Sequence, residues 1–452
     1  MKTRILLINI FILTLFIPNV IYGQNEEDVK VNLSLKDALS LAHQQNYEIK
    51  MGQEGVEAAK GDVKQTDALF LPSVGVSSSY VSTNDPLASF GIKLQQEIVT
   101  QSDFNPVLLN DPDNIENFTT QVMVHQPLIN IDGWHGRKAA KAKHEAMKMQ
   151  LQRTGEYVTF AVKRAYYGLV LAKARQNLLE KVYETTQRNY KLTKDYFDQG
   201  MIKEADLLEM KVRLLEAENQ MKVAESVVLE ANDGLSYLLG YNAGTIIIPS
   251  DSMVATEFGV DGIDLSINNR SDLLALSNGV KARENMYKAE RSGILPKLNA
   301  FGSYNLHDDK LFGNNAKNWM VGAKLSIDLF KGNQRSGKVQ KARAEMDQAQ
   351  LQLNSYRERK ERELSQAILN ARIAWSKLTT SELAKESAAE AYRIRNNRFK
   401  QGLEKTTDLI NSETSFAGKE LEYLYALYQY HVAIHQIEFL KEMSLSNSNK
   451  NN

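Results

Sequence analysis

Phe197-Asp198-Gln199-Gly200-Met201, running on to Asp206-Leu207-Leu208, returns later in the chain as Phe399-Lys400-Gln401-Gly402-Leu403, running on to Asp408-Leu409-Ile410. Phe, Gly, Asp and Leu recur at the same offsets, and each copy sits between two long stretches of helical pattern. Gly200 and Gly402 supply a helix stop, because glycine tolerates the left-handed conformation that closes a helix C-terminus. Asp206 and Asp408 fall in the opening turns of the next helix, where an acid suits the helix dipole. Each copy therefore reads as the tip of an αα-hairpin, over about 197–206 and 399–408.

Working outward, the 452 residues are 24% charged and 43% hydrophobic, enough for two or three domains or one extended repeat. A formal net charge of zero argues against a nucleic-acid footprint, so no nucleic-acid partner is expected. The chain has no cysteine, which excludes disulfides, thiolate metal sites, cysteine nucleophiles and lipid attachment through an N-terminal cysteine. Lys2 and Arg4 precede an apolar run from Ile5 to Val20, followed by Ile21-Tyr22-Gly23 and polar Gln24-Asn25-Glu26. That pattern predicts a secretory signal peptide over 1–23. No later stretch approaches a transmembrane helix, so any membrane span must be made of strands.

The first half, 24–262, starts polar and extended and turns helical near Leu35, a pattern that continues to about Phe70 and stops at Pro72. Two strands follow, at about 73–83 and 118–128. Between them lies a long loop with turn chemistry in Asp85-Pro86, Asn105-Pro106 and Asp111-Pro112. Arg137 to Tyr196 then reads as one helix of about sixty residues, ~90 Å at 1.5 Å per residue. Beyond the first tip, Leu207, Leu214, Met221, Val228 and Leu235 form one heptad row. Met210, Ala217, Ala224, Ala231 and Leu238 form another, making a coiled-coil seam with room for close approach. Gly240 ends that helix, and a linker carries a β-like run, Thr245 to Ile248.

The second half, 263–441, repeats the plan. Asn46–Tyr80 aligns without a gap onto Arg270–Tyr304, with Pro72 on Pro296. Strands are expected at about 297–306 and 319–330, the latter alternating Trp319, Val321, Ala323, Leu325, Ile327 and Leu329 against polar or small neighbours. Helix follows from about 336 to 398, then the second tip, then 408–441, and a polar tail over 442–452. The strands read as two isolated hairpins, which are marginal in water. Four strands do not close an ordinary barrel, so several chains are expected to pool them. Two, three or four copies would give eight, twelve or sixteen strands. Strand loops would lie at one end and helical tips at the other.

The signal peptide, the duplicated helix–hairpin–helix plan and the repeated tips resemble the TolC-type outer-membrane efflux proteins, over about 33–441. The resemblance implies a mostly α fold with membrane β: a homotrimer whose twelve-stranded β-barrel continues into a long periplasmic α-helical barrel. It implies a passive outer-membrane channel of a tripartite efflux or secretion system, in contact with outer-membrane lipid. The partners would be a periplasmic adaptor and an inner-membrane transporter of the RND or ABC type. Adaptor docking carries over to Gln199, Gly200, Met201, Gln401, Gly402 and Leu403. The family closes its entrance with tip side chains that include an acidic ring. Asp408 matches its first acid, Asn411 stands where a second is expected, and Glu404 where a basic partner is sometimes found. Asp206 and Glu209 on the first tip are candidates to share the gate.

Each site has a plainer reading. Asp206 and Asp408 also serve as helix-start acids, and Phe197 and Phe399 as packing residues. His431 and His435, four apart on a helix, have metal-chelating spacing, but they sit beside Tyr423, Tyr428 and Tyr430 on what reads as a packed face. No nucleophile–base set or phosphate-binding glycine loop emerges, so no catalytic residue, metal or cofactor is assigned. The alternative to a channel is a periplasmic coiled-coil scaffold whose strands form a small soluble sheet.

Overall fold

The structure, a computed structural model, describes residues 30–242, 244–259 and 262–443. The expected signal peptide and residues 444–452 of the expected tail lie outside the described residues.

Four strands form one antiparallel sheet: β2 (Ser73–Thr83), β3 (Ile115–Ile129), β5 (Lys297–Asp308) and β6 (Ala316–Ser326), in the order β2-β3-β5-β6. The two hairpins expected to be isolated are thus joined, β3 pairing with β5 from Phe118↔Asp308 to Ile129↔Leu298. Pairing on both flanks also explains why β3 is longer than the 118–128 read from pattern, running past Pro127 through a register shift. β6 stops at Ser326 rather than 330. Its last partner is Lys297, and Pro296 before it has no N–H to extend the ladder.

Directly paired residues point to the same face of a sheet. Val74↔Val124, Val76↔Val122, Tyr80↔Phe118, Tyr304↔Trp319 and Gly302↔Val321 therefore define one apolar face. The opposite face carries Ser77↔Gln121, Ser79↔Thr119, Gln121↔Asn305 and Asn305↔Asn318. Gln121 donates to Asn305 Oδ1 and Asn305 Nδ2 to Asn318 Oδ1, each at 2.8 Å.

The loop between β2 and β3 is not all turn. It holds α3 (Pro86–Gln95), a 3-10 turn at Gln101–Phe104 and α4 (Pro106–Asn110). Asp-Pro and Asn-Pro are the chemistry of a helix start as well as of a turn. Asp85 Oδ1 caps Ala88 N at 2.8 Å and Asn105 Oδ1 caps Val107 N at 3.0 Å, each with proline in the first turn.

Most of the remaining elements form a layer of helices. α5 (Ile131–Asp198, 68 residues) and α8 (Gln334–Lys400, 67 residues) are the long ones, each about 100 Å at 1.5 Å per residue. α2 (Tyr47–Gln65) and α6 (Glu204–Leu239) lie along α5, while α7 (Ser271–Ser292) and α9 (Thr406–Lys441) each touch both α5 and α8. The seam on α6 buries Met210, Ala217 and Ala224 and then moves over to Val228 and Leu235, the drift expected of a 3.6-residue helix on a seven-residue repeat. At mid-height, β1 (Lys30–Leu33) pairs in parallel with β4 (Ile246–Pro249), and Leu33 and Ile247 join a core with Val162, Tyr166, Leu235 and Leu239.

The helix expected over 35–70 breaks at Asn46, between α1 (Leu35–Gln45) and α2, and the break is a splice. Asn46 Oδ1 caps α2 by accepting from Glu48 N at 2.9 Å, while its Nδ2 donates to Leu238 O at 2.9 Å near the end of α6. Arg270, which aligns with Asn46, makes the second of these contacts in the other half without a side-chain cap: its guanidinium donates to Leu440 O at 2.9 Å near the end of α9. The two helix ends also match, with Gly240 at φ 75° and Glu442 at φ 54°. Glu442 turns the strained position to use: its carboxylate accepts from Ser271 N at 2.9 Å and from Arg153 Nη1 at 2.9 Å.

Candidate functional site: the paired helix tips

The two tips have one geometry. Gly200 (φ 73°) donates N–H to Phe197 O at 2.8 Å, and Met201 to Tyr196 O at 2.9 Å. Gly402 (φ 71°) donates to Phe399 O at 2.9 Å, and Leu403 to Arg398 O at 2.9 Å. Both are Schellman closures, which satisfy carbonyls that a helix end leaves free. The turn pushes Met201 (62% exposed) and Leu403 (61% exposed) into solvent, beside the exposed Gln199 and Gln401. A Cβ at either glycine would meet nothing within 4 Å.

Beneath the turns the hairpins are knitted together. Phe399 is buried with Met210 and Leu409, and Tyr196 Oη donates to Phe399 O at 3.4 Å and Lys400 O at 3.2 Å. Phe399 is thus core; Phe197 is half-buried.

The four candidate gate acids separate into different environments. Asp206 accepts from Lys203 N at 3.2 Å, so within one chain it caps its own helix. Glu209 reaches the other tip, 3.5 Å from Thr407 Oγ1. Glu404 is enclosed by two arginines, accepting from Arg395 Nη1 at 3.0 Å and Arg398 Nε at 2.8 Å. Arg395 also lies 3.9 Å from Asp408. The bases of this cluster therefore stand at 395 and 398, on α8, with the acid at 404. Sequence reading passed over both arginines; their signal was two bases, three apart, in the last turns before the tip.

A second polar cluster was also missed. Glu413, 2% exposed, accepts from Thr186 Oγ1 at 2.6 Å, Asn189 Nδ2 at 3.3 Å and Arg213 Nε at 3.3 Å. It ties α9 to both α5 and α6. Burial, with the Glu413 carboxylate nearby, pushes the Tyr392 phenol up to about 12. The legible signal was a carboxylate four residues after Leu409, on the buried stripe of α9.

His431 and His435 lie well away, at mid-height. His431 Nε2 is 3.1 Å from Val254 O, His435 Nδ1 is 2.7 Å from Glu438 Oε2, and both rings stack on Tyr167. Among the described residues, no group of three or more His, Cys, Asp and Glu is placed to hold a metal ion. Also among them, no helix is long and apolar enough to cross a membrane.

A sheet with one apolar face, set on long helical hairpins, defines the class: an outer-membrane duct. The profile of the family described as Outer membrane efflux protein matches residues 38–241 and 262–440, one segment in each half, and the chain belongs to that family. It is an outer-membrane channel of a tripartite efflux system, with its helices in the periplasm. Solved structures share the fold. The CmeC outer membrane channel of Campylobacter jejuni matches with TM-score 0.78 at 16% identity, covering 92% of this chain and 88% of that one. VceC of Vibrio cholerae matches with TM-score 0.74 at 16% identity, covering 90% and 96%. The Neisseria gonorrhoeae MtrE outer membrane channel, in its open state, matches with TM-score 0.71 at 14% identity, covering 91% and 89%. No curated protein sequence matches the chain.

Proposed function

We propose that three copies close one tube, twelve strands around, and that its tips dock onto a periplasmic adaptor. The observation that carries this reading is that both layers end in unpartnered edges. Among the described residues, β2 and β6 each pair on one side only. In the helices, α6 leaves Val212, Leu215 and Leu229 exposed, and α8 leaves Leu351, Ile373 and Leu383 exposed. Edge strands with free N–H and C=O groups and apolar helix edges are satisfied together when β6 of one copy meets β2 of the next. The apolar sheet face then meets lipid and the polar face lines the pore.

At the far end, Gln199-Gly200-Met201 and Gln401-Gly402-Leu403 form a ring of exposed turns, which we assign to the adaptor. Asp206, Glu209 and Asp408 are assigned to the gate, with Glu404 fixing Arg398 and the Arg395 that lies beside Asp408. The inner-membrane transporter, of the RND or ABC type, supplies the energy, and the duct itself performs no catalysis. In cells whose sole duct is this chain, Leu403→Asp with Met201→Asp is expected to leave assembly intact and abolish export. Normal export by that double variant would remove the docking assignment.

A further inference from the structure

We propose that neighbouring copies are clasped at the outer mouth, Leu311 and Phe312 of one copy seating against the apolar side of the next copy's α3–α4 loop. This rests on the three-copy reading above and goes beyond it, naming a contact outside the strand edges.

The loop is a built unit. Phe90 and Phe104 meet edge-on at 5.6 Å between centroids, and Lys93 Nζ lies 2.7 Å from Asp103 Oδ1. Buried Gln96 donates to Asn117 Oδ1 at 3.0 Å and to Glu116 O at 2.7 Å, fastening the end of α3 to the sheet. Apolar side chains of the same loop stay uncovered, Leu87 84% and Val107 73% exposed, with Phe104 and Leu108 also exposed. Apolar side chains of this size are stabilised by leaving water.

The opposite edge of the sheet carries a matching feature. The β5–β6 turn is held by Asp308, which accepts from Lys310 N and Asn315 N, each at 3.0 Å. It displays Leu311 and Phe312, the latter 71% exposed and in the left-handed region at φ 61°. That backbone conformation is unfavourable for a bulky side chain, and within one chain the ring stays mostly in solvent.

Topology decides the occupant. β2 runs toward the loop end and β6 away from it, so β6 of one copy pairs antiparallel with β2 of the next. That pairing sets the 309–315 turn of one copy beside the 84–114 loop of the next. Lipid is the other apolar occupant. However, Gln96 ties the loop to Asn117, whose side chain shares a face with Thr119 and Gln121, the polar face. The loop therefore folds toward the pore side of the sheet, away from the surface that meets lipid.

The chain has no cysteine of its own, so engineered crosslinks are unambiguous. Phe312→Cys and Val107→Cys are placed on two differently tagged full-length chains, co-expressed, and oxidised in the outer membrane. A disulfide joining the two tags is expected. Phe312→Cys with Tyr237→Cys, on a distant exposed helix face, should give none. Native mass measurement of the same samples separates the two levels of the proposal. Three copies without the Phe312–Val107 crosslink, by disulfide or by a short bis-maleimide, would overturn the clasp and leave the trimer standing. Monomers would overturn both. A photoreactive residue at 312 that labels lipid in place of protein would also overturn the clasp, in favour of a membrane-facing turn.

Discussion

At the scale of the residue, the most informative group is Glu413, a carboxylate on the buried stripe of α9. Its pair with Arg213 is buried on both sides, with side chains 6% and 3% exposed. Removing one partner strands a charge, whereas removing both does not. Arg213→Met is expected to destabilise the helical region by about 3–5 kcal/mol, and Arg213→Met with Glu413→Met to recover most of that. Denaturant unfolding checks it, and equal losses in single and double variants would deny the pair any role. Glu438 makes a pH prediction. Burial raises its carboxyl, but hydrogen bonds from His435 and Lys163 outweigh burial and hold it at about 2, against 4.5 for a free side chain. A depressed carboxyl contributes stability that is complete above the unfolded value and lost as pH falls through the folded one. Thermal stability should therefore decline between pH 4.5 and about 2, and Glu438→Gln should flatten that limb of the curve. An unchanged slope would mean that other carboxylates carry it. The position of each carboxylate on α9 could be read from the sequence, but its partner could not, because a charge on a heptad face reads the same whether it meets solvent or another helix.

At the scale of the element, the chain's own punctuation was largely readable. Gly200, Gly402 and Gly240 end helices in left-handed geometry where the pattern placed them, and Pro72 and Pro296 precede strands. Reading went astray where one signal serves two structures. Asp85-Pro86 and Asn105-Pro106 fit a turn and a helix start alike, and here their side chains cap Ala88 N and Val107 N at the start of a helix. The Asn46 splice shows the same ambiguity, since one asparagine inside a helical pattern costs little until its side chain finds Leu238 O. Asn46→Ala should cost about 1 kcal/mol through the lost cap, with amide exchange rising first at Glu48 and Ile49, which it caps. Protection unchanged at those two amides would show that the stacked helices hold the break without it.

At the scale of the whole molecule, duplication made the architecture readable: two tips, two hairpins and two long helices predict their own arrangement. Edge pairing of β3 with β5 was not readable, because nothing local in either strand names its neighbour. The apolar sheet face gives this level its own substitution. Trp319, 71% exposed in one chain, faces lipid in the closed barrel, so Trp319→Arg should impair assembly in the membrane by about 2–4 kcal/mol if the position lies near mid-bilayer. Normal recovery of that variant in outer membranes would place the residue outside the lipid band. The central claim, that three chains share one barrel through the β2 and β6 edges, is tested most directly by electron microscopy of the detergent-extracted protein. The account predicts end views with threefold symmetry and side views with a helical tube at least as long as α5, about 100 Å. Compact single-chain particles, or rings of another symmetry, would contradict it.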